Sequence, residues 1–382
     1  MHESTRATNA AILVSLDFGA PDYAESLQEL RLLAESAGVQ TVALVEGKRQ
    51  RPDASLFAGS GKVDEIAARV EQHTLSGLSP LVIFNHDLSP AQMRNLTARI
   101  KTRVIDRTML ILDIFALRAQ SHEGKVQVEL AQLKYLSTRL AGMNTDMGQQ
   151  KYAVGARGPG ETQLELDRRK LDKRVQLLKE RLEKLARQRQ LLRRARNRSE
   201  VMSVSIVGYT NAGKSTLFNR LTQANVYVAD QLFATLDTTS RKVFIEGPGQ
   251  VVLSDTVGFI RHLPHGLVAA FRSTLEETAQ ADLLLHVVDS NSVERFDQIA
   301  EVNKVLHEIG AQDIPQILVF NKIDLQDIPA GVRRDDYARI AGIYLSARTG
   351  AGIEELRAAL AEMRDAPRQH IEAQQWHPLD AD

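Results

Sequence analysis

Gly208-Tyr209-Thr210-Asn211-Ala212-Gly213-Lys214-Ser215 has the residue types and spacing of a loop that wraps a phosphate chain. Its glycines let backbone N–H groups gather around an anion at a helix N-terminus, where negative charge is favoured. Lys214 is placed to reach β- and γ-phosphates, and the Ser215 hydroxyl to ligate Mg²⁺, with Thr216 next in the helix. Asp255-Thr256-Val257-Gly258 follows a second apolar run. Its carboxylate can hold the Mg²⁺ shell through water, and the Gly258 N–H can bond a γ-phosphate. Asn321-Lys322-Ile323-Asp324 ends a third apolar run. The Asp324 carboxylate can accept from the ring N–H and exocyclic amine of guanine. Adenine lacks that amine and presents an acceptor in place of the ring N–H, so the same carboxylate rejects it. Asn321 is expected to support the loop and base edge, the Lys322 stem to cover the base face, and the Ala347 N–H, after Ser346, to meet guanine O6.

A segment that senses the γ-phosphate should lie between the first helix and the next strand, where Leu232-Phe233-Ala234-Thr235-Leu236-Asp237 stands. Thr235 is the preferred Mg²⁺ ligand there, with Thr238 and Thr239 as competitors. Phe259 follows Gly258, where many such enzymes place a glutamine that orients water. A phenyl ring cannot hydrogen-bond water. Either Phe259 packs against the switch, or hydrolysis is slow until an external surface orders the site, and the two are compatible.

These residues need a scaffold of strands ending at one edge. From residue 201 the apolar runs 201–207, 241–245, 251–255, 283–289, 316–321 and 343–346 alternate mostly with helical patterns. That predicts a doubly wound, mostly parallel α/β domain over 201–365 with ligands at the strand C-termini. Residues 1–106 predict a smaller α/β domain, with strands at 11–16, 41–45, 81–84 and 102–105 and helices at 22–37, 62–72 and 90–100. Ser89 before Pro90 marks a helix entry. Phe57-Ala58-Gly59-Ser60-Gly61-Lys62 reads as a shortened phosphate loop or a tight turn. Without the full spacing and the Ser or Thr after lysine, the turn is the better reading.

Between these domains, 107–200 predicts a helical hairpin. Residues 109–120 form a largely buried helix, and Val126, Leu130, Leu133, Leu136 and Leu140 stripe the next one. A glycine-rich tip at 142–160 follows. A second helix carries a heptad seam at Leu171, Val175, Leu178, Leu182, Leu185 and Leu192, broken by Arg189 and partnered by the first helix. Its other faces hold Arg168, Arg169, Lys170, Lys173, Arg174, Lys179, Arg181, Lys184, Arg187, Arg189, Arg193, Arg194, Arg196 and Arg198. Such a strip is a solvated face or a binder of phosphate backbones, and RNA is the preferred partner. A polar tail covers 366–382.

The chain's 382 residues allow two or three cored domains. With no cysteine, disulfides and thiolate metal sites are excluded, which suits a cytoplasmic setting. No signal-peptide pattern opens the chain, and no apolar run approaches the roughly 20 residues of a membrane span. The 48 basic and 48 acidic residues balance, so any pull on nucleic acid must be local.

Taken together the motifs resemble the HflX family of ribosome-associated GTPases, which are translation-factor-like P-loop GTPases. The likeness rests on GSGKVDE at 59–65, LSPAQMRNL at 88–96, VIDRT at 104–108, EGKVQVELAQL at 123–133, RGPGETQLELDRR at 157–169 and LFATLD at 232–237, together with the nucleotide motifs. It implies a monomeric GTPase controlled by GTP and Mg²⁺ that binds the large (50S) ribosomal subunit and its rRNA. Splitting or rescue of stalled or idle ribosomes, or a part in ribosome biogenesis, is implied too, with the arm and its tip approaching the RNA core. By position, 208–215, 233–237, 255–258, 321–324 and Ser346-Ala347-Arg348 match the family's GTP-binding segments, and Ser215 and Thr235 its Mg²⁺ ligands. The chain departs from the pattern before Arg157, at Thr238 where proline is common, and in its short tail where many relatives have a further domain. The alternatives are an RNA-binding assembly or hibernation factor with GTP as a latch, an ATP-dependent RNA remodeller acting through the N-terminal domain, and a tRNA-modification partner GTPase.

Overall fold

The computed structural model describes residues 10–141, 159–196, 201–223, 231–245, 249–261, 275 and 277–365. Of the tip expected at 142–160, residues 142–158 lie outside them, as does the tail at 366–382, while Pro159 and Gly160 are helical rather than loop. Two compact units meet within one helix, at Lys184 and Leu185. The expected boundaries near 106 and 200 differ from this division, because the helices after the first sheet pack with it.

In the first unit, β1 (Ala10–Asp17) is buried over nearly all its length, as its apolar run, interrupted only by Ser15 before Asp17, requires of a strand covered on both faces. It pairs in parallel with β2 (Gln40–Lys48) and β3 (Leu81–Phe84), and β3 with β4 (Val104–Ile105), giving the order β2-β1-β3-β4. The crossovers are α1 (Tyr23–Ser36), α2 (Ser60–Leu75) and α3 (Pro90–Ile100). Ser89 caps α3 in a reciprocal box: its hydroxyl accepts from Gln92 N at 3.2 Å and Gln92 Oε1 accepts from Ser89 N at 2.9 Å. Ile12, Val14, Val63, Ile66, Phe84 and Leu96 pack in one core.

α4 (Arg107–Arg118) is capped by Asp106, whose carboxylate accepts from Met109 N at 2.9 Å. α5 (His122–Ala141) returns to the same carboxylate: Arg139 bonds it at 2.7 Å and also bonds the Leu88 carbonyl. α6 (Pro159–Arg196), about 57 Å long at 1.5 Å per residue, completes the hairpin. Val126, Leu130 and Leu178 are buried between α5 and α6, with Leu133, Val175 and Leu182 packed against them in antiparallel order. Leu171, half-buried like Val175 and Leu182, lies beyond this cluster among the described residues.

The second unit is a seven-stranded sheet ordered β10-β11-β9-β8-β5-β7-β6. β5 (Met202–Gly208) is an interior strand, flanked in parallel by β7 (Gly249–Asp255) and β8 (Leu283–Asp289). β6 (Thr239–Ile245) runs antiparallel on β7, and β9 (Gln316–Asn321) runs parallel on β8. β11 (Ile340–Tyr344) continues in parallel, and β10 (Gly331–Arg334) closes the edge antiparallel. The sequence pattern did not reveal β10, whose single buried-type residue, Val332, shows no alternation. The run expected at 343–346 ends as a strand at Tyr344, because Ser346 N turns to bond the Ala351 carbonyl at 2.9 Å. α7 (Lys214–Thr222), α8 (Arg295–Glu308) and α9 (Ile353–Asp365) are the unit's main helices. Chain neighbours β7 and β8 sit on opposite sides of β5, so the crevice at a strand-order switch opens at the C-terminus of β5.

Candidate functional site

At that point the chain turns from β5 into α7. Gly208 has φ +146°, and a Cβ there would lie 2.2 Å from the Val287 carbonyl oxygen. Gly213 has φ +93°, and its Cβ would lie 2.2 Å from Asn321 Nδ2. Only glycine fits either place. α7 starts at Lys214, so its first-turn N–H groups, which lack intrahelical acceptors, border the loop. Lys214 is buried and its Nζ donates to Tyr209 O at 2.7 Å. Burial pushes its pKa down to about 8, with Asp255 pulling the other way.

Ser215 Oγ lies 2.7 Å from Thr235 Oγ1 and 2.8 Å from Asp255 Oδ2. Asp255 is fully buried and its Oδ1 has no partner among the described residues. Burial raises its pKa, opposed chiefly by the Ser215 hydrogen bond, then by Lys214 and Thr235. Two hydroxyls and a carboxylate with an uncommitted oxygen form the all-oxygen donor set a hard divalent cation takes, so these residues fit Mg²⁺. Thr239, one of the competing threonines, is instead the first residue of β6. Thr235 is held by its neighbours: Leu232, Phe233 and Leu236 are buried, and Phe233 takes φ +56°, a conformation that costs an L-residue about 1–2 kcal/mol.

At the other end, Asn321 uses both atoms of its amide on backbone. Its Nδ2 donates to Ala212 O at 2.9 Å, and its Oδ1 accepts from Ala347 N at 2.9 Å. The Ala347 N–H expected for guanine O6 is thus engaged by Asn321 in this structure. Ser346 Oγ donates to Asp324 Oδ1 at 2.6 Å, fixing the carboxylate on one oxygen. Lys322, at φ +67°, pairs with Asp289 at 2.7 Å. Arg220 braces the same region, bonding the Ala347 and Arg348 carbonyls at 3.2 and 2.6 Å. In sequence Arg220 looks like any helix-surface arginine, and no signal marks it.

One cavity of ≈320 Å³ joins the two ends. Thr210, Asn211, Gly213, Lys214, Ser215, Thr216, Phe233, Ala234, Thr235, Thr256, Gly258, Asn321, Lys322, Asp324, Ala347 and Arg348 line it, with Gln231 and Leu325, which the sequence did not single out. Gly208, Tyr209, Ala212, Leu236, Asp237, Asp255, Val257, Ile323 and Ser346 stand outside that lining. Phe259 is 1% exposed. Its backbone bridges to the phosphate loop, Thr210 N donating to Phe259 O at 2.7 Å and Phe259 N to Gly208 O at 3.2 Å. The ring is buried, and the backbone partners of Phe259 belong to the phosphate loop.

The first unit's glycine turn is differently furnished. A Cβ on Gly59 would lie 1.9 Å from Arg49 Nη1, which donates to Ala58 O. Lys62 Nζ bonds Glu46 O and Glu65 at 2.8 Å each. A cavity of ≈810 Å³ beside the turn is lined by Lys48, Arg49, Arg51 and Lys62 among others.

Residues 203–322 match the family described as 50S ribosome-binding GTPase, 24–116 that described as GTP-binding GTPase N-terminal, and 118–196 its Middle Region counterpart. GTPase HflX of Escherichia coli (strain K12) is 52% identical over 363 residues, spanning 95% of this chain and 84% of that protein. The chain belongs to the HflX family of GTPases. The HflX of Caldanaerobacter subterraneus subsp. tengcongensis is 46% identical, over 94% of this chain and 82% of that one. A GTP-binding protein from the archaeon Sulfolobus solfataricus, solved with GDP, is 25% identical over 94% of this chain and 98% of its own, at TM-score 0.48. As an HflX GTPase the chain binds GTP and GDP and hydrolyses GTP. Among the described residues no helix is long and apolar enough to cross a membrane.

Proposed function

We propose that the nucleotide state of the loop at 208–215 controls docking of this GTPase on the large ribosomal subunit and its rRNA, in the cytoplasm and as a monomer, and that docking splits or rescues stalled or idle ribosomes. The observation that carries this reading is the contact of Ser215 with both Thr235 and Asp255, since it joins the phosphate loop, the switch threonine and the strand-end carboxylate at one point. Ser215 and Thr235 would hold Mg²⁺ directly and Asp255 through water. The ion would neutralise charge on the β- and γ-phosphates. Loss of the γ-phosphate then removes one contact from Thr235, beyond its Ser215 partner and buried neighbours, and favours release of the 233–237 segment. Asp324 selects guanine, braced by Ser346, while Asn321 and Lys322 hold the base-side loops.

Hydrolysis in this reading is positioning and charge stabilisation. Lys214, buried next to the phosphates, supplies positive charge, and the Gly258 N–H bonds the γ-phosphate. Phe259 offers no side-chain atom to orient water, so the ribosome completes the site. Arg168, Arg169, Lys170, Lys173, Arg174, Lys179, Arg181, Lys184 and Arg187, all exposed on α6, supply the charge for rRNA phosphates. The 50S-binding description of residues 203–322 supports the same partner.

Sedimentation of intact ribosomes with the protein and GTP tests the reading. The expected result is a shift from 70S particles to subunits that Lys214→Ala abolishes. Stable binding without dissociation would instead favour an assembly or hibernation factor using GTP as a latch.

A further inference from the structure

Tyr209 lies in the phosphate loop yet does not line the nucleotide cavity. Its main chain bridges to Phe259, and the two flanking hydrogen bonds tie 258–259 to the loop. Its side chain reaches further along the same segment, where the phenolic oxygen accepts from the Arg261 N–H at 2.8 Å. Arg261 is itself buried, and its guanidinium lies 2.8 Å from Glu294 and 3.9 Å from Asp297 near the start of α8. The stretch from Gly258 to Arg261 is thereby fixed to the phosphate loop at two places and to α8 at a third.

Gly258 has no room to drift inward. A Cβ on it would lie 2.8 Å from Thr210 Cγ2 and 3.0 Å from Lys214 Nζ. Its N–H is the group assigned to the γ-phosphate, and the packed ring of Phe259 leaves the backbone itself to set that end of the site. A fixed donor stabilises developing charge only when it is held in place before the reaction. The hydroxyl of Tyr209 acts on a main-chain N–H, so its hold does not depend on which side chain occupies position 261.

We propose that Tyr209 is a positioning residue for GTP hydrolysis, its hydroxyl holding the 258–261 segment so that the Gly258 N–H is fixed at the γ-phosphate end of the cavity. This rests on the reading of 208–215 as the GTP site. Tyr209→Phe, which removes one oxygen, is the sharpest probe. In the full-length chain its kcat should fall about tenfold, while KM and GDP affinity stay within about twofold, since Tyr209 does not line the nucleotide cavity. Arg261→Ala, which keeps the N–H, should lower kcat less than Tyr209→Phe does. An unchanged kcat in Tyr209→Phe overturns the proposal, as does a parallel loss of GDP affinity, which would place Tyr209 in the binding machinery. If Tyr209→Phe fails to fold, residue-resolved hydrogen exchange of the unaltered protein decides: the Arg261 amide should be strongly protected, and exchange at the rate of an exposed peptide sinks the idea. Lys214→Ala separates the two levels. Should it retain full hydrolysis, the GTP-site reading fails; should it be inactive while Tyr209→Phe behaves as the unaltered protein, only the role of Tyr209 fails.

Discussion

Each unit of the chain feeds a helix from a turn that pairs glycine with lysine, at Gly59-Ser60-Gly61-Lys62 and at Gly213-Lys214-Ser215. In the first, the lysine sits in the third position of α2, partly exposed, with a backbone carbonyl and a carboxylate as partners. The concave side of its glycine is filled by the Arg49 guanidinium. In the second, the lysine is the first residue of its helix, is buried, and reaches back to a carbonyl of its own loop. Beside it lie a hydroxyl, a carboxylate and open volume. Glycine and lysine in sequence therefore do not make a phosphate loop. Open volume adjoins both turns; what distinguishes the second is a lysine forced inward beside the Ser215 hydroxyl and the Asp255 carboxylate, where the first has a lysine already paired with Glu65.

The largest test of that contrast is charge. Lys214→Ala should lower kcat for GTP hydrolysis by about 10²–10³-fold, the effect of removing one preorganised group from a developing charge. Lys62→Ala should leave the same rate within about twofold, because the surface pair it loses is worth little. Equal losses in the two variants would erase the distinction between the turns.

Next comes backbone. Gly213→Ala combines φ +93° with a collision against Asn321, whose amide is held at both ends, and should cost about 2–4 kcal/mol in urea unfolding. Gly59→Ala meets only the end of a flexible arginine at φ +79° and should cost about 1–2 kcal/mol. A larger cost at Gly59 would mean that Arg49 is fixed as firmly as Asn321.

The smallest effect is a pH slope. Burial pushes the pKa of Lys214 down to about 8 in the protein without nucleotide, below its ordinary value. Phosphates beside the ammonium favour its charged form and raise the pKa again. Nucleotide binding therefore takes up a proton above pH 8, and affinity should weaken there by up to about tenfold per pH unit. Calorimetric titrations in buffers of different ionisation enthalpy should register the uptake, and Lys214→Gln should abolish it.

Much of this was legible in the sequence because strong local signals coincide with tertiary need. The alternation of apolar runs and helical patterns marks both sheets, and Ser89-Pro90 starts α3 where it should. Other features depend on contacts far apart in the chain. The seam of α6 reads as heptads from Leu171 onward, and among the described residues the buried cluster joins Val175, Leu178 and Leu182 to Val126, Leu130 and Leu133. A helix can also keep its hydrophobic period across the boundary between two units, which is why the division at Lys184 leaves no trace in composition. At the site, residue types announced the lysine, the serine and the base-reading carboxylate. They did not announce Arg220, which acts on carbonyls more than 120 residues away, nor the engagement of the Ala347 N–H by Asn321.

That engagement has a thermodynamic consequence. Asn321 binds the carbonyl of Ala212 in the phosphate loop with one atom of its amide and the Ala347 N–H in the base loop with the other. The wall that meets the phosphates and the wall that meets the base are therefore one braced piece before any ligand arrives. Their ordering entropy is spent during folding, so association with nucleotide does not have to immobilise these two walls. In the proposed reading the braced wall sets which base is bound, and the energy difference between GTP and GDP falls on the 233–237 side of the site.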